Sequence, residues 1–145
     1  MTNDRHHPVP PADPASSDGL TPLRHRVLDK LREAAQPLSA YDLMAALGRD
    51  TGRRVNPTTV YRTLEFLIGA GLVTRIESRN AFVSYRQPGD HQDCLFLICT
   101  DCGTAIEVED GRIASVLGED AARVGFRPSR QVVELQGLCQ ACAGH

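Results

Sequence analysis

The chain has 145 residues, 41% of them apolar and none of them Trp, which is enough for one large domain or two small ones. It holds no apolar run of about 18 residues or more, which excludes a transmembrane helix. No apolar segment follows the first Met, so no secretory signal is read and a cytoplasmic location is expected. The net charge of −2 is unevenly spread: Thr21 to Arg86 carries 11 Lys/Arg against 6 Asp/Glu, and Gln87 to His145 carries 4 against 9. A basic front half suits phosphate and an acidic back half suits cations.

Residues 1–20 read as a disordered tail, with Pro8, Pro10, Pro11 and Pro14 among small polar residues, and His6 and His7 as solvated tail residues. Thr21-Pro22 starts a helix, with Thr as cap and Pro at the first helical position. Leu23, Val27, Leu28 and Leu31 form its apolar stripe, His25 sits among its basic residues, and Pro37 stops it. Ser39 to Asp42 reads as a capping box opening a second helix through Leu43, Met44 and Leu47, followed by a loop from Gly48 to Val55.

Asn56-Pro57 opens a third helix with Val60, Leu64, Leu67 and Ile68 inward, and Gly69-Ala-Gly71 ends it. Leu72–Glu77 and Ala81–Tyr85 read as a hairpin around Ser78-Arg79-Asn80. Three helices and a hairpin are the order of a winged helix, whose third helix enters a major groove. Thr58, Thr59, Tyr61 and Arg62 lie on the outer face of that helix, where short polar groups, an aromatic ring and an Arg can reach phosphates and base edges. Arg75 and Arg79 on the wing are expected to reach the DNA backbone.

Pro88-Gly89-Asp90 marks a hinge. Beyond it, Leu95–Cys99 and Ala105–Glu109 read as strands. Asp110 is expected to cap a helix that buries Ile113, Val116, Leu117 and Val124, and Gln131–Gln136 reads as a last strand.

Cys99-Thr-Asp-Cys102 and Cys139-Gln-Ala-Cys142 are two C-x-x-C knuckles 36 residues apart. Each puts two thiolates on one tight turn, and four sulfurs make the closed tetrahedral site of a structural zinc. A redox dithiol is the competing reading, and the absence of a thioredoxin-like strand–helix–strand context counts against it. His91, Asp93, Cys94 and Glu107, with Asp90 beside them, form a looser set of nitrogen, sulfur and carboxylate donors. It reads either as a second, regulatory zinc site or as a polar loop with one half-buried Cys.

Leu38 to Leu43, Pro57-Thr-Thr-Val-Tyr-Arg-Thr-Leu64, Gly71 to Arg75, Asn80 to Val83, Phe96 to Gly103 and Gly137 to Cys142 resemble the ferric uptake regulator superfamily, in its zinc uptake regulator branch. The likeness runs from about Thr21 to Cys142. It implies an α+β chain: a tail at 1–20, a winged helix-turn-helix DNA-binding domain at 21–86, a hinge at 87–94, and a small α+β dimerisation and metal-binding domain at 95–145. It further implies a zinc-responsive repressor of zinc uptake genes. Such a repressor binds double-stranded inverted-repeat operator DNA as a zinc-loaded homodimer through Tyr61 and Arg62, with no membrane and no small-molecule substrate. Each chain would hold Zn2+ at the four cysteines and at a hinge site including His91 and Glu107. Cys94 is added on chemistry and proximity. The iron-sensing members carry H-H-x-H before the first knuckle where this chain has His91-Gln-Asp-Cys94. Thr74 and Tyr85 stand where zinc-sensing relatives often carry ligands, so the site is expected to be either differently composed or completed by Asp90, Asp93 or a tail His. The alternatives are an iron, manganese or peroxide sensor of the same superfamily, a protein adaptor, and an enzyme. The last finds no Ser/His/Asp set, phosphate loop or catalytic carboxylate pair.

Overall fold

The computed structural model describes residues 20–144; nearly all of the expected tail, including His6 and His7, lies outside the described residues, as does His145. The elements in chain order are α1 (Pro22–Glu33), α2 (Ala40–Thr51), α3 (Pro57–Gly69), β1 (Val73–Ile76), β2 (Ala81–Ser84), β3 (Cys94–Cys99), β4 (Ala105–Glu109), α4 (Ile113–Arg123), β5 (Glu134–Gly137) and α5 (Gln140–Ala143). Among the described residues no helix is long and apolar enough to cross a membrane.

The first three helices start where their cap chemistry directs. Thr21 accepts from the Arg24 N–H, Asn56 accepts from the Thr58 N–H, and Ser39 and Asp42 bond each other's backbone reciprocally. α2 departs from expectation by running through Gly48 to Thr51. The chain stops at Gly52, whose φ of 67° breaks the helix as Gly48 does not. Leu28, Leu43, Leu47, Leu64 and Leu67 are fully buried where the three helices meet. Each contributes roughly 1.5–3 kcal/mol by leaving water. β1 and β2 pair antiparallel, Val73 opposite Ser84, and Leu38 bridges to Phe82 on the outer edge of β2.

The second sheet has the order β4-β3-β5, antiparallel between β3 and β4 and parallel between β3 and β5. α4 lies in the crossover that the parallel pairing requires. Ile76, Phe96 and Ile98 form a second buried cluster with Val83, Tyr85 and Ala105 against it. The hairpin is therefore shared: one face packs on the helices and the other on the second sheet.

Three expectations change in this half. α4 is capped at Arg112 rather than Asp110. The Asp110 carboxylate accepts from the Arg112 N–H at 3.0 Å, and Asp93, 21 residues upstream of Ala114, accepts that residue's N–H at 2.9 Å. The expected buried face of α4 is open in the single chain, with Val116, Leu117 and Val124 exposed. Helical periodicity reports that an apolar face exists, not which surface covers it. β5 begins at Glu134, and residues 131–133 lie before the ladder, with the Val133 carbonyl accepting the Phe96 N–H at 3.0 Å.

Candidate metal centres and nucleic-acid interface

The parallel pairing of β5 with β3 sets Cys99 opposite Gly137, so the chain enters its second knuckle beside the first. The four sulfurs of Cys99, Cys102, Cys139 and Cys142 lie within 4.8 Å of one another. A zinc tetrahedron with Zn–S near ~2.3 Å has its sulfurs about 3.8 Å apart; Cys102 Sγ and Cys139 Sγ are 3.7 Å apart. The N–H groups of Cys139 and Cys102 point at Cys99 Sγ from 3.4 and 3.5 Å and draw its pKa down to about 6. Thr104 beside Cys102 lowers that thiol as well, whereas Cys142, bonded to Cys139, is raised. Gly103 turns the first knuckle at φ 79°, with the Gln36 side chain lying on its Cα. The donor set fits a closed, structural zinc.

The second group contracts to His91, Cys94 and Glu107, whose donor atoms lie within 4.8 Å of one another. Cys94 Sγ is 3.7 Å from His91 Nδ1 and 3.6 Å from Glu107 Oε1. Neighbours set both partners. Glu107 Oε2 accepts the Arg86 N–H at 2.9 Å, leaving Oε1 to face the thiol. His91 Nε2 sits 2.9 Å from the Gly71 carbonyl. A carbonyl only accepts, so Nε2 carries the proton and Nδ1 offers its lone pair to the cluster. Burial and then the Glu107 charge push the Cys94 thiol up to about 11. One nitrogen, one sulfur and one carboxylate oxygen fit zinc, with a fourth position open.

Asp93, expected in this group, is not in it; its carboxylate holds the start of α4 instead. Asp90 lines a cleft of about 350 Å³ beside the cluster, together with Thr74, Tyr85, His91 and Arg130. Thr74 is buried beside the Tyr85 hydroxyl, and the Tyr85 ring stacks on His91. Burial raises the Tyr85 pKa, which keeps that hydroxyl protonated.

On α3 the expected outer residues are exposed: Thr58, Thr59, Tyr61, Arg62 and Glu65. The wing does not follow expectation. Arg79 donates to the Cys99 carbonyl at 2.9 Å, and Arg75 bonds Asn80 across the turn. Glu134 of β5 accepts the N–H groups of Glu77 and Ser78, at 2.6 and 3.3 Å, and Arg130 pairs with Glu77 at 2.7 Å. The wing tip is thus clasped to the second sheet, and both arginines bond within the chain. Sequence reasoning missed Arg86 and Gly71, which orient the hinge donors through backbone atoms that carry no side-chain signature. It also missed Tyr41, an exposed aromatic on α2 beside Asn56 and Pro57 at the start of α3.

A three-helix core with a wing, joined to a small sheet stapled by four cysteines and carrying a mixed-donor group at the junction, defines a winged-helix metalloregulator. A profile of the Ferric uptake regulator family matches residues 18–136. The chain is 37% identical over 126 residues to the zinc uptake regulation protein of Escherichia coli (strain K12), spanning 85% of this chain and 72% of that protein. It superposes on the crystal structure of holo XcZur with a TM-score of 0.78, 41% identity and 87% of each chain covered. On a zinc uptake regulator complexed with zinc and DNA the TM-score is 0.80, with 33% identity and 86% and 83% covered. The chain belongs to the ferric uptake regulator family.

Proposed function

We propose that the chain is a zinc-responsive transcriptional repressor that binds inverted-repeat operator DNA as a zinc-loaded homodimer and controls zinc uptake genes. The reading takes residues 21–86 as the DNA-binding domain, 87–94 as the hinge and 95–145 as the dimerisation and metal-binding domain. The observation that carries it is the Cys94 thiol between His91 Nδ1 and Glu107 Oε1 at the junction of the two halves. A thiolate among the donors favours zinc over iron or manganese, which prefer nitrogen and oxygen. The relatives named above are zinc regulators, and one is complexed with zinc and DNA.

Zinc in each group supplies a redox-inert, four-coordinate cross-link. At the knuckles, four thiolates tie the C-terminal end of the chain to β3. At the hinge, zinc would hold His91 and Cys94 against Glu107 of β4, and His91 in turn touches the winged helix at Gly71 and Tyr85. In a dimer this fixes the separation of the two α3 helices, and only a set separation lets both meet major grooves one turn, roughly 34 Å, apart. Thr58, Thr59, Tyr61 and Arg62 are the residues assigned to DNA. The open apolar face of Val116, Leu117, Val124 and Phe126 is the surface assigned to the second copy.

The test is bound zinc per chain, with and without Cys94→Ser, beside a DNA gel shift that includes Arg62→Ala. The reading expects two zincs in the wild type and one in Cys94→Ser, with zinc-dependent DNA binding lost in both variants. An unchanged count with intact DNA binding in Cys94→Ser removes Cys94 from the sensor. Retained binding in Arg62→Ala removes α3 from the groove.

A further inference from the structure

His91 touches both halves of the molecule. Its Nδ1 faces Cys94 and its Nε2–H bonds the Gly71 carbonyl. Its ring lies flat on Tyr85, with centroids 3.4 Å apart and planes 12° apart. Cys94 and Glu107 belong to β3 and β4, whereas Gly71 and Tyr85 belong to the winged helix. Gly71 is the turn directly after α3. Its φ is 72°, and a Cβ there would meet the Gly89 carbonyl at 2.5 Å, so the hinge backbone rests on this turn. Tyr85 follows β2, its N–H bonded to the Leu72 carbonyl at 2.9 Å and its hydroxyl beside Thr74. Among the described residues, no His, Cys, Asp or Glu of the winged helix joins the hinge group. The path from the hinge group to α3 that the geometry offers is the pair of contacts His91 makes with Gly71 and Tyr85.

We propose that Tyr85 is the positioning residue that reads the hinge site for the winged helix, with the Gly71 carbonyl as its companion. A His91 ring held at Nδ1 has one orientation, in which Nε2–H meets Gly71 and the ring face meets Tyr85. A ring free at Nδ1 turns about its side-chain torsions and gives up both contacts, releasing the turn after α3. In this role Tyr85 acts through its ring face, which the backbone bond to Leu72 anchors beside His91. Stacking and the hydrogen bond are each worth several-fold in an equilibrium constant, enough for a coupling in the usual range of about 5- to 150-fold. This inference rests on the hinge group being the sensing site.

The test uses the full chain and a DNA duplex selected from a randomised pool on the zinc-loaded wild type. DNA affinity is measured in zinc buffers that empty or fill the hinge site, for wild type, Tyr85→Phe and Tyr85→Ala. Tyr85→Ala is expected to lose about tenfold of the zinc-dependent gain while still binding zinc in the hinge, and Tyr85→Phe to keep most of the gain. A Tyr85→Ala protein with the full gain overturns the proposal, as does one that no longer binds the hinge zinc. A second readout needs no DNA. The chain has no Trp and three Tyr, so with Tyr41→Phe and Tyr61→Phe the emission of Tyr85 stands alone. It is expected to change as the hinge site fills, and constant emission overturns the proposal. If Cys94→Ser answers zinc as the wild type does, the sensing site itself is misassigned, whatever Tyr85 does.

Discussion

The knuckles and the hinge group both offer zinc a thiolate, but the protein prepares Cys99 and Cys94 in opposite ways. Cys99 receives two backbone N–H groups and has its pKa drawn down to about 6, so it is a thiolate at neutral pH before any metal arrives. Cys94 is buried beside Glu107 and is pushed up to about 11, so it is a thiol. A pre-charged site binds without giving up that proton, while the hinge must release one for each ion. The first arrangement suits a permanent fixture. The second suits a site that fills and empties as conditions change.

The largest expected effect breaks the permanent half of this contrast. Structural zinc is worth roughly 10–16 kcal/mol in small domains, as much as the whole stability of a typical one. Cys99→Ser is expected to abolish the sheet signal of the C-terminal half in circular dichroism, whereas Cys94→Ser leaves the spectrum unchanged. A Cys99→Ser protein that melts like the wild type would remove the structural role.

A middle-sized effect sharpens the contrast through pH. The Cys94 thiol stays protonated below about 11, so falling pH favours the empty hinge and rising pH favours the filled one. Between about pH 7 and 9 the hinge affinity should rise around tenfold per pH unit from this proton alone. The Cys99 contribution is flat over that range, because its thiol is already ionised. Competition against a zinc indicator at several pH values measures the hinge slope, and a hinge affinity that stays flat over that range would overturn the assignment of Cys94 as a protonated ligand.

The smallest effect concerns Asp93. As the residue that holds the first turn of α4, its change to Ala should cost about 0.5–2 kcal/mol, a few degrees of melting temperature, with the zinc count unchanged. Loss of the hinge zinc would make it a ligand after all.

What the sequence made legible follows the range of the interactions involved. The starts of α1, α2 and α3 were readable because a cap and its partner stand two or three residues apart. The knuckles were readable because C-x-x-C carries its geometry locally, and the hinge donors because His91 and Cys94 share a turn. Asp93 was misjudged because its partner, Ala114, is 21 residues away and is a backbone N–H. The contacts of the wing were hidden for a similar reason: the Cys99 carbonyl and Glu134 that engage it come from strands far along the chain. Gly71 read as a helix end, and only the fold shows the hinge lying across it.

The parallel course of β5 beside β3 has a topological consequence. Metal across the two knuckles makes residues 103–138 a closed ring, with β4, α4 and β5 all on its circumference. A peptide bond broken anywhere on that circumference divides the chain in sequence but leaves both fragments tethered to one ion. The β3–β5 ladder and the Glu134 clasp on the wing hold them in register. The fragments part only when the thiolates let go, so the physical continuity of this half depends on its metal rather than on its backbone.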